Sequence, residues 1–274
     1  MRIAIQGFEG SFHQIAAQSY FGKQTEVECC ASFAELVKKA KQQPDVDAGV
    51  MAIENSIAGS ILPNYSLLKN SGLHVNGEVY LQIKQQLMVL PGQTLEDIRE
   101  VHSHPMALLQ CMDFLEKHPH IKLVETEDTA LSAKHVAQKK LKSTAAIAGK
   151  LAADIFGLDI IAPNIHTAKN NYTRFLVISR NGVTPAPDAN KASVYFQTSH
   201  ERGSLARVLT KIAEAGINLS KLQSFPIPAK EWTYYFHADM EFEHQDLFHK
   251  GLERITPLTE HLKVLGIYKK GNTH

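Results

Sequence analysis

Residues 171–179 read Asn-Tyr-Thr-Arg-Phe-Leu-Val-Ile-Ser, and the apolar second half of this run predicts a β-strand over Arg174–Ser179. The strand closes a helix-rich α/β region. Its start combines the hydroxyl of Thr173, the permanent cation of Arg174 and the ring of Phe175. These side chains suit a small anionic ligand. Each of them is also an ordinary strand residue, so the interpretation depends on polar clusters elsewhere in the chain.

Upstream of this strand, short β-branched runs alternate with amphipathic stretches and turn residues, a pattern typical of α/β units with largely parallel strands. Capping residues mark helix starts at Ser32 with Glu35, at Thr94 with Asp97, and at Asp128. The predicted strands are Arg2–Gln6, Ala48–Ile53, Ile98–Ser103, Lys122–Glu125, Ala145–Ala148 and Arg174–Ser179.

Downstream, residues 181–190 contain two prolines, one glycine and no apolar periodicity, so they predict an interdomain linker. Six elements follow in the order βαββαβ, the ferredoxin-like plan. They are Ala192–Thr198, Leu205–Ala215, Leu219–Ser224, Trp232–Met240, Gln245–Arg254 and Leu262–Tyr268. We therefore predict a first domain at 1–181, a linker at 182–190 and a second domain at 191–274.

The composition is that of an ordinary globular protein that binds a small molecule. Of 274 residues, 44% are hydrophobic and 21% charged, and 29 basic residues nearly balance 28 acidic ones. Basic residues never cluster beyond adjacent pairs, which argues against nucleic acid as a partner. No stretch approaches the ~18 apolar residues of a membrane span. No signal peptide is recognisable, and the odd cysteine count favours reduced thiols, so we expect a cytoplasmic protein.

Two polar clusters follow predicted strands. Gly7-Phe8-Glu9-Gly10-Ser11-Phe12 lies between the first strand and a helix, where its glycines free backbone N–H groups to face an anion. A tight turn without a ligand explains the same residues equally well. Glu54-Asn55-Ser56-Ile57-Ala58-Gly59-Ser60 follows the strand Ala48–Ile53, where open α/β sheets bind ligands. Helix capping by Asn55 or Ser56 is the alternative there.

A third cluster, His102-Ser103-His104-Pro105, also ends a strand and leads into a helix that carries Gln110 and Cys111. The two histidines do not predict a metal site, because no third ligand follows at a convincing spacing. The small-residue helix starts near Asp128 and Ser143 can seat an anion or simply cap their helices. The candidate site therefore consists mostly of neutral donors around Arg174.

Taken together, these residues resemble the prephenate dehydratases across nearly the whole chain. The glycine-rich GPxGSF-like motif of that family resembles residues 7–12, and its ENSxxG motif is matched at 54–59. The SHPxxxxQC segment is matched at 103–111, and the TRF signature at 173–175. Residues 203–209 and 216–219 resemble an ACT domain, the phenylalanine-sensing module of the family.

The resemblance implies a lyase that converts prephenate to phenylpyruvate in L-phenylalanine biosynthesis without a cofactor or a metal. The implied fold is a two-lobed α/β catalytic domain similar to type 2 periplasmic binding proteins, followed by a ferredoxin-like ACT domain. Thr173 is expected to hydrogen-bond the departing hydroxyl, helped by Asn55 and Gln110. Arg174 is expected to grip a substrate carboxylate. The other expected substrate contacts are Phe175, Ser56, Gly10, Ser11 and Ser103.

The ACT resemblance implies L-phenylalanine as effector and a homo-dimer or homo-tetramer. The expected effector contacts are Gly203, Leu205, Asn218, Leu219, Gln223 and Ser224. The regulatory motif Glu-Ser-Arg-Pro of the family reads Gln223-Ser224-Phe225-Pro226 in this chain, so it loses both charges. Feedback control is therefore less strongly implied than catalysis.

Other departures leave the hydroxyl, amide and guanidinium positions intact: Phe8 and Ala52 replace prolines of the family, and Met106 replaces a common glutamine. Two other functions stay open. The first is an arogenate dehydratase, whose substrate has an ammonium in place of the keto group. The second is a non-catalytic module that binds an aromatic or dicarboxylate ligand. A pure binding module has no need for Thr173, Asn55 and Gln110 together.

Overall fold

The computed structural model describes residues 1–227 and 233–272. Its contacts divide the chain into two compact units. The first contains Met1–Asn64 and Val79–Phe175, and the second contains Tyr65–Glu78 and Leu176–Asn272. Each unit has its own apolar core. No helix in the described residues has the length and apolar character that crossing a membrane requires.

The elements up to residue 179 alternate between strands and helices. They are β1 (Arg2–Gln6), α1 (Phe12–Phe21), β2 (Glu26–Cys30), α2 (Phe33–Gln42), β3 (Ala48–Asn55), β4 (Gly59–Ser60), α3 (Leu62–Ser71), β5 (His74–Gln82), β6 (Gln86–Val89), β7 (Glu100–Ser103), α4 (Pro105–Gln110), α5 (Met112–Leu115), β8 (Lys122–Glu125), α6 (Thr129–Gln138), β9 (Thr144–Ala148), α7 (Lys150–Phe156), β10 (Asp159–Ala162) and β11 (Tyr172–Ser179). A 3₁₀ turn covers Leu95–Asp97.

Two sheets are built from these strands. The first has the order β2-β1-β3-β11-β5, with β4 paired to β3, and β1 runs parallel to both of its neighbours. The second has the order β10-β6-β9-β7-β8, in which β7 is parallel to β8 and β9, and β6 is antiparallel to β9 and β10. Helices α1 and α2 pack against β1, and α6 packs against β9. This is the two-lobed α/β plan that the sequence predicted.

The remaining elements form the βαββαβ order. They are β12 (Lys191–Gln197), α8 (Ser204–Glu214), β13 (Asn218–Pro226), β14 (Tyr234–Glu241), α9 (Gln245–Ile255) and β15 (Glu260–Tyr268), with a 3₁₀ turn at Thr256–Leu258. The strands make an antiparallel sheet of order β13-β14-β12-β15, which has the ferredoxin-like connectivity. The predicted strand start at Trp232 lies outside the described residues.

The boundary between the two compact units does not coincide with the predicted linker. Residues 65–78 group with the C-terminal sheet, and the division falls within β5 and β11. Within the second unit, a Cβ at Gly266 would lie 1.8 Å from the backbone oxygen of Val75, so glycine permits this close approach. Lys191 also contacts Glu78, which places β12 and β5 together. The domain boundaries at 181 and 191 stay a prediction.

Several strands were missed by the sequence analysis: β2, β4, β5, β6 and β10. Strand β5 has the sequence His-Val-Asn-Gly-Glu-Val-Tyr-Leu-Gln, in which Asn76 and Gly77 are weak strand formers. Strand β2 contains two glutamates and lies at the edge of its sheet. Strand β11 begins at Tyr172, two residues before the predicted start, so it includes Thr173.

Candidate active site

A cavity of about 300 Å³ lies within the first unit. It is formed by strand ends and helix starts: the ends of β1 and β3, the starts of α1, α4 and α6, and the first half of β11. Its lining residues are Gln6, Ser11, Phe12, His13, Ala52, Asn55, Ile83, Gln85, His104, Met106, Ala107, Gln110, Glu127, Asp128, Thr129, Thr173 and Phe175. The carboxyl ends of β1 and β3 are where α/β sheets bind ligands.

Asn55 and Thr173 form a hydrogen-bonded pair in this cavity. The Asn55 Nδ2 atom donates to Thr173 Oγ1 at 3.0 Å and to Asn171 Oδ1 at 2.7 Å. The Asn55 Oδ1 atom accepts the N–H groups of Ile57 and Ala58 at 3.0 and 2.9 Å, which sets the orientation of the amide. Since Nδ2 can only donate, Thr173 Oγ1 is the acceptor. The hydroxyl hydrogen of Thr173 is therefore left to donate to a ligand.

Gln110 is the third predicted catalytic residue, and it also lines the cavity. Its Oε1 atom accepts a long hydrogen bond of 3.5 Å from Gln85 Nε2. The Gln85 Oε1 atom is buried and has no hydrogen-bond partner among the described residues. Gln85 itself was missed by the sequence analysis, because it lies outside the four motifs. The structure thus adds the amide of Gln85 to the two predicted amides, Asn55 and Gln110.

Three helices begin at the cavity wall, and each has a side-chain cap. Ser11 Oγ accepts the Gln14 N–H at 3.4 Å at the start of α1. His104 Nδ1 accepts the Met106 N–H at 3.2 Å at α4, and Asp128 Oδ1 accepts the Leu131 N–H at 2.9 Å at α6. The capping role predicted for Asp128 is confirmed. Helix N-termini carry partial positive charge and unpaired N–H groups, so these three ends favour an anionic ligand.

The cavity lining lacks a permanent cation. Among the described residues, none of those that line it is a lysine or an arginine. Glu127 and Asp128 add carboxyl groups, and burial raises the pKa of Asp128. An anionic ligand in this cavity therefore depends on backbone N–H groups, hydroxyls and amides.

Arg174 is not among the residues that line the cavity. Its neighbours Thr173 and Phe175 line the cavity, but Arg174 does not, and it is only 4% exposed. The physical reason is the alternation of side chains in β11, because successive residues of a strand point to opposite faces. Arg174 is buried in the sheet, and the expected grip on a substrate carboxylate stays a prediction.

The other predicted substrate contacts divide into two groups. Ser11 and Phe175 line the cavity, whereas Ser56, Gly10 and Ser103 do not. Ser103 is fully buried and donates to the Ile147 backbone oxygen at 2.6 Å, so its hydroxyl joins two strands.

Gly10 and Ser56 have roles in the backbone around the site. The N–H of Gly10 donates to Gln14 Oε1 at 2.7 Å, and its φ of +87° suits glycine. Ser56 Oγ accepts the Tyr172 N–H at 2.9 Å and donates to the Asn170 oxygen at 3.2 Å. Ser56 therefore helps to hold the start of β11, the strand that carries Thr173.

His13 is a cavity residue that the sequence analysis missed. Its ring meets the ring of Phe175 edge to face, with centroids 5.0 Å apart. Burial lowers the pKa of His13 to about 4, so the imidazole is neutral near neutral pH. Its Nε2 atom is buried without a hydrogen-bond partner among the described residues. The only signal in the sequence was its position directly after the glycine-rich turn.

His102 and His104 do not act as a pair. His102 Nε2 lies 3.0 Å from Glu100 Oε2, whereas His104 caps α4. In the described part of the chain, no group of three His, Cys, Asp or Glu side chains is arranged to hold a metal ion. The two histidines thus have separate roles.

The predicted effector residues lie in the second unit. Gly203 precedes α8 with a φ of +78°, a left-handed conformation that suits glycine. Leu205 belongs to α8. Asn218, Leu219, Gln223 and Ser224 belong to β13, an edge strand of the four-stranded sheet.

Comparison with known proteins identifies the family of the chain. The family model for prephenate dehydratase matches residues 3–183. The chain belongs to the prephenate dehydratase family. The bifunctional chorismate mutase/prephenate dehydratase of Enterobacter agglomerans is 31% identical to it, over 99% of this chain and 71% of the relative. Arogenate dehydratase/prephenate dehydratase 2 of Arabidopsis thaliana is 35% identical, over 100% of this chain and 74% of the relative.

Solved structures share the fold of this family member. The prephenate dehydratase of Arthrobacter aurescens, solved in complex with L-Phe, superposes with a TM-score of 0.88 and is 24% identical, covering 100% of this chain and 91% of that one. GqqA, described as a quorum-quenching acylase, superposes with a TM-score of 0.89 and is 28% identical, covering 98% of both chains. The prephenate dehydratase fold therefore extends over the whole chain.

Proposed function

We propose that this protein is a lyase that converts prephenate to phenylpyruvate in L-phenylalanine biosynthesis. The observation that carries the proposal is the Asn55–Thr173 pair, which aims a hydroxyl donor into a cavity bordered by three helix N-termini. Prephenate is a dianion that loses carbon dioxide and its ring hydroxyl, and aromatisation drives the reaction. The site must therefore hold carboxylates and assist a departing oxygen.

The Thr173 hydroxyl is the group that assists the departing oxygen. It accepts from Asn55, so its own hydrogen is available to the ring hydroxyl of the substrate as carbon–oxygen cleavage begins. A donor that is already oriented in the free enzyme costs no reorganisation during reaction. Gln110 supplies a second polar contact in the same cavity. Asn55 is a positioning residue, because its amide acts through Thr173.

The substrate carboxylates are held by helix ends, because no lysine or arginine is among the described lining residues. The first N–H groups of α1 have no intrahelical acceptor, and the α1 start contributes Ser11, Phe12 and His13 to the lining. Phe175 and Ile83 provide apolar surface for the ring. This arrangement binds the substrate carboxylates and orients the substrate ring at the same time.

Arogenate is the alternative substrate, and one observation favours it. Glu127 and Asp128 line the cavity, and a carboxylate there suits the ammonium that arogenate carries in place of the keto group. The name of the Arabidopsis relative gives both activities, arogenate dehydratase and prephenate dehydratase. We propose prephenate as the main substrate. The ratio of the kcat/KM value for prephenate to that for arogenate distinguishes the two possibilities.

The C-terminal sheet is the proposed regulatory part. Its ferredoxin-like connectivity is that of ACT domains, and the Arthrobacter protein of this fold was solved with L-Phe. We assign the effector contacts to Gly203, Leu205 and the β13 residues, and we expect a homo-dimer or homo-tetramer in the cytoplasm.

The test is direct assay of the purified protein with prephenate and with arogenate. We expect phenylpyruvate from prephenate, detected by its absorbance in alkali, at a higher kcat/KM than phenylalanine from arogenate. A reversed ratio would assign the protein to arogenate. Binding of prephenate without any turnover would support the non-catalytic binding module instead.

A further inference from the structure

The reaction proposed above needs a proton that the Asn55–Thr173 pair cannot supply. Prephenate dianion yields phenylpyruvate, carbon dioxide and hydroxide when the bond from C1 to the ring carboxylate and the C4–oxygen bond break. A proton on the departing oxygen makes it leave as water. Threonine is too weak an acid to give up a proton at neutral pH, and the amides of Asn55 and Gln110 are weaker still. The donor must be a titratable group at the cavity.

Four titratable side chains line the cavity among the described residues: His13, His104, Glu127 and Asp128. Burial lowers the pKa of His13 to about 4, so it carries no extra proton at neutral pH. His104 Nδ1 accepts the Met106 N–H, so this nitrogen carries no hydrogen to donate. Glu127 is exposed to solvent, whereas Asp128 is partly buried at the cavity wall. Asp128 is therefore the candidate donor.

We propose that Asp128 is the general acid that delivers this proton to the departing hydroxyl of the substrate. The proposal rests on the function proposed above. The Asp128 Oδ1 atom accepts the Leu131 N–H at 2.9 Å, which fixes the carboxyl group at the start of α6. Its Oδ2 atom lies beside Gly7, where a Cβ would come within 3.0 Å of it. We assign the acidic proton to Oδ2, the oxygen that does not accept from Leu131.

The surroundings of Asp128 raise the pKa of its carboxyl group, chiefly through burial. Burial raises the pKa of its carboxyl, and the neighbouring Glu127 raises it further, whereas hydrogen bonds from Leu131 and Ala130 and the nearby His104 lower it. Cys29 of β2 also interacts with Asp128, and burial raises the pKa of this thiol, so it adds no negative charge near neutral pH. A dianionic substrate raises the pKa of Asp128 again, because none of the described residues that line the cavity is a lysine or an arginine.

The step is balanced with respect to protons and electrons. The electron pair of the bond to the ring carboxylate moves into the ring as carbon dioxide leaves, and the C4–oxygen pair departs with the hydroxyl. Asp128 Oδ2 gives its proton to that oxygen, water leaves, and the Asp128 carboxylate takes a proton from solvent before the next turnover. Thr173 donates a hydrogen bond to the same oxygen without giving up its proton.

The test is the pH profile of kcat on prephenate for wild type and Asp128→Asn. Asparagine keeps the cap on α6 but has no acidic proton. We expect wild-type kcat to fall as pH rises through the pKa of Asp128 in the substrate complex. The Asn variant should lose about 10²-fold or more in kcat, and its residual activity should lack that fall. The control is Asp97→Asn, the same substitution at a capping aspartate outside the cavity. It should change neither kcat nor the pH dependence of kcat.

Two results would overturn the assignment of Asp128. One is near-normal kcat in Asp128→Asn. The other is a low kcat that keeps the wild-type pH profile, which indicates a structural role. Asp128→Ser, which also caps helices, provides the same comparison if the Asn variant does not fold. Proton uptake on binding phenylpyruvate, measured by calorimetry in two buffers, should be present in wild type and absent in the variant. Failure of the wild type to turn over prephenate would instead reject the proposed function.

Discussion

The orientation of Thr173 depends on Asn55, a residue 118 positions earlier in the chain. The Asn55 amide is held by the N–H groups of Ile57 and Ala58, so it presents Nδ2 to the threonine oxygen. The hydroxyl that we propose to be catalytic is therefore oriented by a residue of the neighbouring strand β3.

The Asn55–Thr173 pair predicts a non-additive double-mutant cycle. Thr173→Val should lower kcat by about 10²- to 10³-fold with little change in KM, because one preorganised donor is lost. Asn55→Asp should lower kcat comparably, since a carboxylate accepts the threonine hydrogen and turns it from the substrate. If both act through one hydroxyl, the double variant should be no slower than the slower single variant. If steady-state assays showed that the double variant loses kcat by the product of the two single losses, the two residues would not act through one hydroxyl.

His13 predicts a pH dependence of stability. Burial lowers its pKa from 6.5 to about 4, so between these values the unfolded state binds a proton that the folded state does not. Stability is therefore lost as pH falls through this window, by about 2 kcal/mol at about pH 5. His13→Phe should remove that part of the slope in urea unfolding at several pH values. His200→Gln, at an exposed histidine, is the control. An unchanged slope in His13→Phe would show that His13 does not cause it.

At the residue scale, motifs predicted Asn55, Gln110 and Thr173, and all three line the cavity. The motifs did not predict which face of β11 each residue occupies: Thr173 and Phe175 line the cavity and Arg174 does not. They also missed His13 and Gln85, since an isolated polar residue gives no sequence signal until the fold brings it to the cavity.

At the scale of elements, a buried ion pair joins β5 and β12 in the second unit. Lys191 Nζ lies 3.0 and 3.1 Å from the two carboxylate oxygens of Glu78, and the Gly271 N–H donates to the same carboxylate at 3.0 Å. Lys191 is 1% exposed. Removing one partner of a buried pair leaves an uncompensated charge.

We expect Lys191→Met to lower the free energy of unfolding by about 3–5 kcal/mol in chemical denaturation. The double variant Lys191→Met with Glu78→Leu should regain part of this, because neither charge then remains buried. Lys269→Met breaks the exposed pair with Asp188 and should leave the midpoint nearly unchanged. A Lys191→Met protein as stable as the Lys269→Met control would contradict the importance of the buried pair.

The sequence predicted the order of the strands and helices in the C-terminal unit, with small errors at the ends of each element. The alternation of apolar and polar residues and the turn residues are clear in that part of the chain. It missed β5, where Asn76 and Gly77 interrupt the strand pattern. The link between β5 and β12 could not be predicted either. Glu78 and Lys191 are 113 positions apart, and their pairing depends on tertiary packing.

At the scale of the whole molecule, the assignment of an ACT domain predicts an allosteric response. L-Phenylalanine should release heat in calorimetry and lower kcat/KM for prephenate, while L-lysine should do neither. Asn218→Ala should weaken the L-phenylalanine response without affecting uninhibited turnover. The absence of any heat would reject the sensor role, in keeping with the loss of both charges from the regulatory motif. Light scattering during gel filtration should give a dimer or a tetramer.

The central claim is that a preoriented threonine hydroxyl assists the dehydration of prephenate. The measurement that tests it most directly is phenylpyruvate formation by purified wild type and Thr173→Val, assayed side by side at saturating prephenate. We predict rapid turnover by the wild type and a loss of about 10²- to 10³-fold in the variant. Equal rates for both proteins would contradict the role of Thr173, and no turnover by either would contradict the proposed reaction.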